Sequence, residues 1–276
     1  MYIYYYNYYY YINNKDMQFI ITILYTYFFL FTHFITNFNI NINIMTYINN
    51  LFIINKYLMG WKLLSTFPEN YYMLDNIDND KYILALFNHP TLIDSFFCLK
   101  YLINKFPEHE IVFVIKEELT KLFLIGNYFK KHHICIKRNF DQDKQYIINK
   151  INSIKLNNKK TIIVLFPEGT TFCKETILKS NNWCLKNNID NFKNIIAPRI
   201  LGYNLIKEHF MPNIILNNII IYLDDLKCNK SRYENDIFKC NKNVSICNIH
   251  TNIVDIDKDI TNLWRENDNY INNYIN

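Results

Sequence analysis

The hydrophobic positions of the chain fall into short continuous apolar runs separated by stretches with helical spacing. Runs rich in β-branched residues predict buried strands at 82–87, 111–115, 133–137, 161–165, 195–197 and 217–223. Apolar residues three and four apart predict helices at 91–105, 118–130, 141–156 and 174–187, and a terminal helix at 257–276. Because strands and helices alternate, we predict an α/β fold with a mostly parallel or mixed sheet flanked by helices.

The N-terminal region has a different pattern. It opens with a low-complexity, tyrosine-rich stretch, and no Asp, Glu, Lys or Arg occurs between residues 17 and 55. Residues 19–35 are dense in large apolar side chains and, with their flanks, reach the ~20 residues that cross a bilayer. We therefore predict a hydrophobic membrane-anchoring helical segment within residues 1–60, which either spans the bilayer or lies in one leaflet. A buried helix of a soluble domain is disfavoured, because uncharged stretches of this length seldom lie inside such a domain.

Composition limits the class of protein. The 276 residues are enough for one α/β domain, predicted at 61–276, in addition to the N-terminal segment. Half of the residues are apolar, yet the mean hydropathy is only -0.12 because asparagine is abundant throughout. The net charge is +5, the isoelectric point is about 8.6, and no nucleic-acid-binding fold is recognised. We therefore expect no nucleic acid partner.

The cysteines give no disulfide or zinc pattern. Seven are scattered along the chain without a close pair, at positions 98, 135, 173, 184, 228, 240 and 247. An odd number indicates reduced thiols that face the cytosol or a similar compartment. Cys240, Cys247 and His250 have a spacing found in some zinc sites, but no Cys-x2-Cys pair accompanies them. We predict no metal site and no bound cofactor.

The turn after the first predicted strand contains a histidine followed by an aspartate. His89 lies at the strand-to-helix junction, and Asp94 follows just over one helical turn later, close enough to approach the imidazole. An imidazole with its ordinary pKa of ~6.5 removes a proton from an attacking hydroxyl near neutral pH, and a carboxylate fixes its tautomer. The pair is a candidate general base with its orienting partner. Alone, the same spacing also fits a helix-capping histidine and a solvated aspartate.

A second motif follows the predicted strand at 161–165. Pro167 ends this strand, and Gly169 permits a backbone conformation closed to other residues. A glycine-containing turn after a strand exposes backbone N–H groups suited to an oxyanion or a phosphate. Glu168 fits such a site only if it hydrogen-bonds a hydroxyl or organises a nearby cation. The alternative is a simple strand-ending turn with an exposed glutamate.

The two motifs together resemble the blocks of a known family. Asn-His-Pro-Thr-Leu-Ile-Asp at 88–94 and Phe-Pro-Glu-Gly-Thr at 166–170 are similar to the Asn-His-x4-Asp and Phe-Pro-Glu-Gly-Thr blocks of the glycerophospholipid acyltransferases, which include lysophosphatidate acyltransferases. Two weaker blocks agree: 134–138 resembles a strand that ends in a phosphate-binding arginine, and 195–199 resembles an apolar strand that ends at a proline. The resemblance covers about residues 60–205.

This resemblance implies an enzyme that transfers a fatty acyl group from acyl-CoA to the free hydroxyl of lysophosphatidate, in phospholipid biosynthesis. His89 would be the general base and Asp94 its partner. Membrane lipids, the lysophospholipid acceptor and acyl-CoA would be its molecular partners, at a membrane that is most simply that of the endoplasmic reticulum. The substrate-binding residues that the resemblance implies are Arg138, Lys137, Glu168, Gly169, Thr170 and Pro198.

Basic residues lie on both sides of the predicted strand at 133–137. Lys130, Lys131 and two histidines precede its apolar centre, and Lys137 and Arg138 follow it. We predict one basic cluster close to the acceptor site, suited to anionic lipid headgroups or the phosphates of coenzyme A. An ordinary solvated face is the alternative.

Two positions depart from the family pattern and leave the acceptor open. Position 171 is Thr where the family usually has Arg, and position 91 is Thr where Ser is common. A hydroxyl does not replace the planar clamp that a guanidinium forms on a phosphate. Two alternatives therefore stand: an acyltransferase or transacylase that remodels another lysophospholipid, as in lysocardiolipin remodelling, and a membrane-anchored lipid-binding protein with weak turnover.

Overall fold

The computed structural model describes residues 77, 80–90, 94–121, 126–224 and 245–275. All of these lie in the second of the two compact units of the chain, Leu63–Asn276. The anchor predicted within residues 1–60 lies outside the described residues. Within the described ranges, no helix combines the length and the apolar character needed to cross a bilayer.

Six strands and six α-helices form the described domain. The strands are β1 Tyr82–Phe87, β2 Glu110–Lys116, β3 Ile134–Ile136, β4 Thr161–Leu165, β5 Ile214–Asp224 and β6 Ser245–Val254. The helices are α1 Asp94–Lys105, α2 Gly126–His132, α3 Phe140–Leu156, α4 Lys174–Lys186, α5 Ile200–Phe210 and α6 Ile260–Ile275. A short 3-10 helix, Glu117–Lys121, follows β2.

The strands form one mixed sheet in the order β3-β2-β4-β1-β5-β6. The first five are parallel, and β6 is antiparallel to β5. The prediction of an α/β fold with a mixed sheet flanked by helices is thus confirmed. Because parallel strands end at the same edge, the segments that follow β1, β3 and β4 all emerge at the carboxyl edge of the sheet, where such folds bind ligands.

Alternate residues of the central strands face two cores. Leu84 and Leu86 of β1 belong to a large cluster that also contains side chains of α3, α4, α5 and α6. Ile83, Ala85 and Phe87 are equally buried but lie outside this cluster, as the alternation of side chains along a strand requires. Burial on both faces explains why β1 and β4 are continuous apolar runs rather than alternating ones.

The predicted strand at 195–197 is wrong. These residues are buried, but they form an irregular segment. Both edges of β4 are already occupied, by β1 and by β2, so the segment finds its hydrogen bonds elsewhere. The backbone N–H of Ala197 donates to Ser180 Oγ at 3.0 Å, and that of Arg199 donates to the carbonyl of Pro167 at 2.7 Å.

Three other elements differ from the sequence predictions. Of the predicted helix at 118–130, the first residues belong to the 3-10 helix and those from Gly126 onward belong to α2, while residues 122–125 lie outside the described residues. Helix α5 was missed, although Tyr203, Ile206 and Phe210 have helical spacing and are buried. Strand β6 was missed because polar residues occupy its buried positions: Thr251 donates to Asn218 Oδ1 at 2.7 Å.

Candidate active site

His89 lies immediately beyond the carboxyl end of β1, and its neighbour Asn88 fixes the chain at this point. The side chain of Asn88 is buried between β1 and β5. Its Nδ2 donates to the carbonyl of Ile220 at 3.0 Å, and its Oδ1 accepts the N–H of Ile220 at 2.6 Å. The side-chain amide of Asn88 therefore continues the hydrogen bonding between β1 and β5, which fixes the chain immediately before His89.

The imidazole of His89 contacts the carboxylate of Asp94. His89 Nδ1 lies 3.0 Å from Asp94 Oδ2, and the two side chains are 17% and 0% exposed. The predicted approach of Asp94 to the ring is therefore present in the structure. Because a carboxylate only accepts, this contact places the proton of a neutral imidazole on Nδ1 and leaves a lone pair on Nε2. The ring also stacks on Phe166, with centroids 4.3 Å apart.

The segment between β4 and α4 lies beside this histidine. Gly169 has a φ of 68°, which only glycine adopts without strain, and its N–H donates to the carbonyl of Phe166 at 3.0 Å. The N–H of Phe172 donates to the carbonyl of His89, also at 3.0 Å. The two motifs predicted from the sequence therefore meet. These two N–H groups are used within the protein, so neither is available to an oxyanion or a phosphate.

Glu168 points into the protein. The residue is 1% exposed, and neither carboxyl oxygen has a partner at hydrogen-bonding geometry. Burial raises the pKa of this carboxyl well above 4.5, and the charge of Asp94 raises it further. The N–H groups of the His89 and Ile196 backbones and the indole of Trp264 lie close enough to oppose this rise. In this structure the carboxyl is inaccessible to an acceptor.

Arg138 lies at the same edge of the sheet, just beyond β3. Its backbone has a φ of 66°, and the residues on both sides are held by one carboxylate: Asp143 accepts the N–H of Lys137 at 2.9 Å and that of Asn139 at 3.0 Å. The side chains of Arg138 and Lys137 are exposed. The pKa of Arg138 is lowered by partial burial and by the charge of Arg199, while Glu118 opposes the change.

Arg199 reaches the site from the start of α5. A Cβ placed on Gly169 would lie 3.3 Å from Arg199 Cγ and 3.8 Å from its Nε, so the arginine stem lies against this glycine. Sequence reasoning assigned Arg199 no role, although it directly follows Pro198 in the fourth block. Pro198 itself is buried, and Thr170 is partly exposed. Trp264 belongs to the predicted terminal helix, where its helical spacing with other apolar residues indicated a core position but not its closeness to Glu168.

The basic cluster predicted around β3 is divided. Lys137 and Arg138 follow β3, at the edge that holds His89. The charges that act on His132 are those of Lys131, Glu110, Lys150 and Lys159. Glu110 begins β2 and Lys159 precedes β4, so this second group lies toward the opposite end of the sheet. The prediction of one cluster at the acceptor site is therefore wrong for the residues before β3.

The described residues contain free cysteines and no candidate metal site. Within those ranges, no group of three or more His, Cys, Asp or Glu side chains could hold a metal ion. Cys98, Cys135, Cys173 and Cys184 are free thiols. Cys228, Cys240 and the side chain of Cys247 lie outside the described residues, so the Cys240, Cys247 and His250 grouping is untested.

Comparison with known proteins agrees with the motifs. Residues 70–198 match the family model for an acyltransferase domain. The chain is 30% identical over 132 residues to lysophosphatidylinositol acyltransferase 10 of Caenorhabditis elegans, covering 47% of this chain and 34% of that protein. It is 25% identical over 130 residues to a probable 1-acyl-sn-glycerol-3-phosphate acyltransferase 5 of Arabidopsis thaliana, covering 47% of this chain and 35% of that protein.

The chain thus aligns with about a third of the length of these two relatives. The segment matched by the family model contains β1 to β4 and the turns that hold His89, Asp94, Arg138 and Gly169. Arg199 lies one residue beyond it. The family match and the two relatives together support a glycerophospholipid acyltransferase family for the domain built on these strands.

Proposed function

We propose that this chain transfers a fatty acyl group from acyl-CoA to the free hydroxyl of lysophosphatidate, with His89 as the general base. The observation that supports this most strongly is the 3.0 Å contact between His89 Nδ1 and the buried Asp94 carboxylate. This contact leaves Nε2 with a lone pair on a partly exposed ring at the carboxyl edge of the sheet. A base oriented in this way is what the attack of a hydroxyl on a thioester requires.

In the proposed mechanism, the acceptor hydroxyl oxygen attacks the thioester carbonyl carbon while its proton moves to His89 Nε2. The buried Asp94 carboxylate stabilises the imidazolium that forms. The tetrahedral intermediate then collapses, the carbon–sulfur bond breaks, and the departing coenzyme A sulfur takes the proton from Nε2. An ester and a free thiol result, and His89 regains its lone pair. No serine or cysteine of the protein is acylated.

The acceptor binds through its phosphate in this proposal, because every glycerophospholipid acceptor contains a phosphate beside the glycerol. Arg138 and Lys137 are exposed cations beyond β3, and we assign the acceptor phosphate to them. The second candidate is acylation of another lysophospholipid, which is supported by the similarity to a protein named for lysophosphatidylinositol. Glu168, Gly169 and Thr170 would shape the acceptor site through the turn rather than through the buried carboxyl.

Substitution of His89 by Ala tests the proposal. Purified protein is assayed with one labelled acyl-CoA and a panel of lysophospholipids that includes lysophosphatidate. We expect turnover to fall by ~10²–10⁴, the usual cost of losing a positioned base. His209→Ala, a partly exposed histidine near the far end of α5, is the matched control and should retain turnover.

Two outcomes would contradict the proposal. Near-parental turnover in His89→Ala, in protein with an unchanged far-UV spectrum, would rule out the base. A parent protein that acylates no acceptor, but binds lysophospholipid vesicles, would favour the lipid-binding alternative.

We also propose that residues 1–60 hold the enzyme at a membrane, where both amphiphilic substrates are concentrated. The support is the uncharged segment between residues 17 and 55. The full chain should stay with membranes after an alkaline carbonate wash, and deletion of residues 1–60 should weaken this attachment. Recovery of the full chain in the soluble fraction would contradict the anchor, whatever the activity.

A further inference from the structure

Two arginine side chains at the carboxyl edge of the sheet lie within electrostatic range of each other. Arg138 extends from the end of β3, and Arg199 extends from the start of α5 with its stem against Gly169. They are close enough for the charge of Arg199 to act on the Arg138 guanidinium. The same turn begins at Phe166, on which the His89 ring stacks. The two cations therefore lie near the candidate base.

Neither guanidinium is used to stabilise the fold. Within the described part of the chain, neither makes a hydrogen bond or an ion pair, and Glu118 is the acidic group that acts on Arg138 from a distance. Arg265 provides the contrast. Its guanidinium donates to the carbonyls of Asn191 and Asp190 and lies over the ring of Phe192. The guanidinium of Arg265 thus makes hydrogen bonds and a ring contact that support the structure, whereas those of Arg138 and Arg199 make none with the described residues.

The backbone nevertheless holds both arginines in place. Asp143 fixes the residues on either side of Arg138, which keeps it in the left-handed conformation. The N–H of Arg199 donates to the carbonyl of Pro167 at 2.7 Å, which ties the start of α5 to the turn. Like charges near each other repel, and an anion that binds between them removes this repulsion. A phosphate fits, because each guanidinium offers it a planar pair of donors.

We propose that Arg199 is a second acceptor-binding residue, and that Arg138 and Arg199 together bind the phosphate of the lysophospholipid. The identification of the ligand as the acceptor rests on the proposed function. Thr171 is uncharged and stands where the family usually has an arginine. In this proposal, Arg199 at the start of α5 supplies the cation that Thr171 lacks. The arrangement also depends on Gly169, since a side chain there would displace the stem of Arg199.

Kinetics with two acceptors provide the first test. Arg199→Ala should raise the KM for lysophosphatidate by ~10–100-fold, the usual effect of losing a charge-assisted hydrogen bond. The KM for acyl-CoA and turnover with monoacylglycerol, an acceptor without phosphate, should change little. Arg199→Lys keeps the charge but not the planar pair of donors, so its KM for lysophosphatidate should lie between those of Arg199→Ala and the parent. Lys179→Ala, an exposed cation on α4, is the control and should behave as the parent.

Equilibrium binding separates this inference from the proposed function. A short-chain lysophosphatidate is titrated calorimetrically into the parent, Arg199→Ala and Arg138→Ala, with the melting temperatures compared. Weaker binding in both variants supports the arginine pair even if the parent shows no turnover, in which case the proposed function alone fails. Unchanged binding and KM in Arg199→Ala would overturn the inference. A rise in the KM for acyl-CoA alone would also overturn it, because the phosphate bound there would then belong to the donor.

Discussion

Two buried carboxyl groups lie beside the His89 turn, and their surroundings differ. Asp94, at the start of α1, is 0% exposed and has an imidazole nitrogen 3.0 Å away. Glu168, in the turn after β4, is 1% exposed and has no partner at hydrogen-bonding geometry. Both residues come from the motifs that define the site. Only Asp94 faces a group that can become a cation during the proposed reaction.

The difference assigns the two carboxyls different tasks. An aspartate beside an imidazole stabilises the protonated ring, so its charge is useful in the transition state. A carboxyl enclosed by backbone and an indole is favoured in its neutral form, because burial opposes ionisation. Glu168 then acts by filling space beneath the His89 turn. Substitutions of the two carboxyl groups test this division, and a substitution of Gly169 tests the turn that holds Glu168; the largest expected effect comes first.

Asp94→Asn should cause the largest loss. The amide cannot stabilise the imidazolium, and its NH₂ group favours the wrong tautomer of His89, so we expect the kcat for acyl transfer to fall by ~10²–10⁴. Asp141→Asn, an exposed aspartate in the first turn of α3, is the control and should leave kcat unchanged. If Asp94→Asn keeps most of the parental kcat while folding normally, Asp94 would be no more catalytic than Glu168.

Gly169→Ala should have an intermediate effect, on stability first. An L-residue at a φ of 68° is strained, and its methyl group would meet Arg199 Cγ. We expect the free energy of unfolding to fall by ~1–2 kcal/mol, with a higher KM for the acceptor. Gly202→Ala is the matched control: it lies within α5, nothing is within 4 Å of an added Cβ, and the helix should gain ~0.5–1 kcal/mol. Equal effects at the two positions would show that the Gly169 turn is not a constrained part of the site.

Glu168→Gln should have the smallest effect on turnover, a change of less than ~10-fold, since a neutral group replaces a carboxyl that is favoured neutral. Its effect on stability should depend on pH. The raised pKa means that folded parent protein retains a proton that the unfolded chain loses above about 4.5. The unfolding free energy of the parent therefore falls as pH rises above this value, whereas the glutamine of the variant has no proton to lose.

Denaturant unfolding of the parent and of Glu168→Gln between about pH 4.5 and 8 measures this difference. The stability of the variant relative to the parent should increase with pH. A parent that gains stability relative to the variant as pH rises would mean that Glu168 is ionised and paired in the folded protein.

The sequence predicted the local part of this site well and the distant part poorly. His89 and Asp94 are separated by little more than one helical turn, so their spacing allowed the contact, and the second motif and the family resemblance favoured it over a capping histidine with a solvated aspartate. The burial of Glu168 depends on Trp264 and Ile196, which reach it from distant parts of the chain, and a sequence pattern carries no such information. The role of Arg199 was missed for the same reason, because its closeness to Gly169 follows from the packing of α5.

The fold, too, was predicted where the sequence signal is local and missed where it depends on distant residues. The parallel strands β1 and β4 were predicted from their continuous apolar runs, because burial on both faces leaves a clear signature. Strand β6 was not predicted, since its buried Thr251 is satisfied by Asn218 and by Tyr101, and polar residues in a sheet interior look like a loop. The segment at 195–197 has the apolar composition of a strand, but β4, whose following turn it contacts, is already paired on both sides.

The position of β1 in the sheet also defines the smallest piece of this chain that can be expected to fold. The segment recognised by the family model ends at residue 198, yet β1 pairs on one side with β4 and on the other with β5, which lies beyond that limit. Asp268 of α6 accepts the N–H groups of Lys193 and Asn194. A fragment cut at residue 198 would expose an unpaired apolar strand at the centre of the sheet and invite aggregation. The segment needed for folding is therefore longer than the segment matched by the family model.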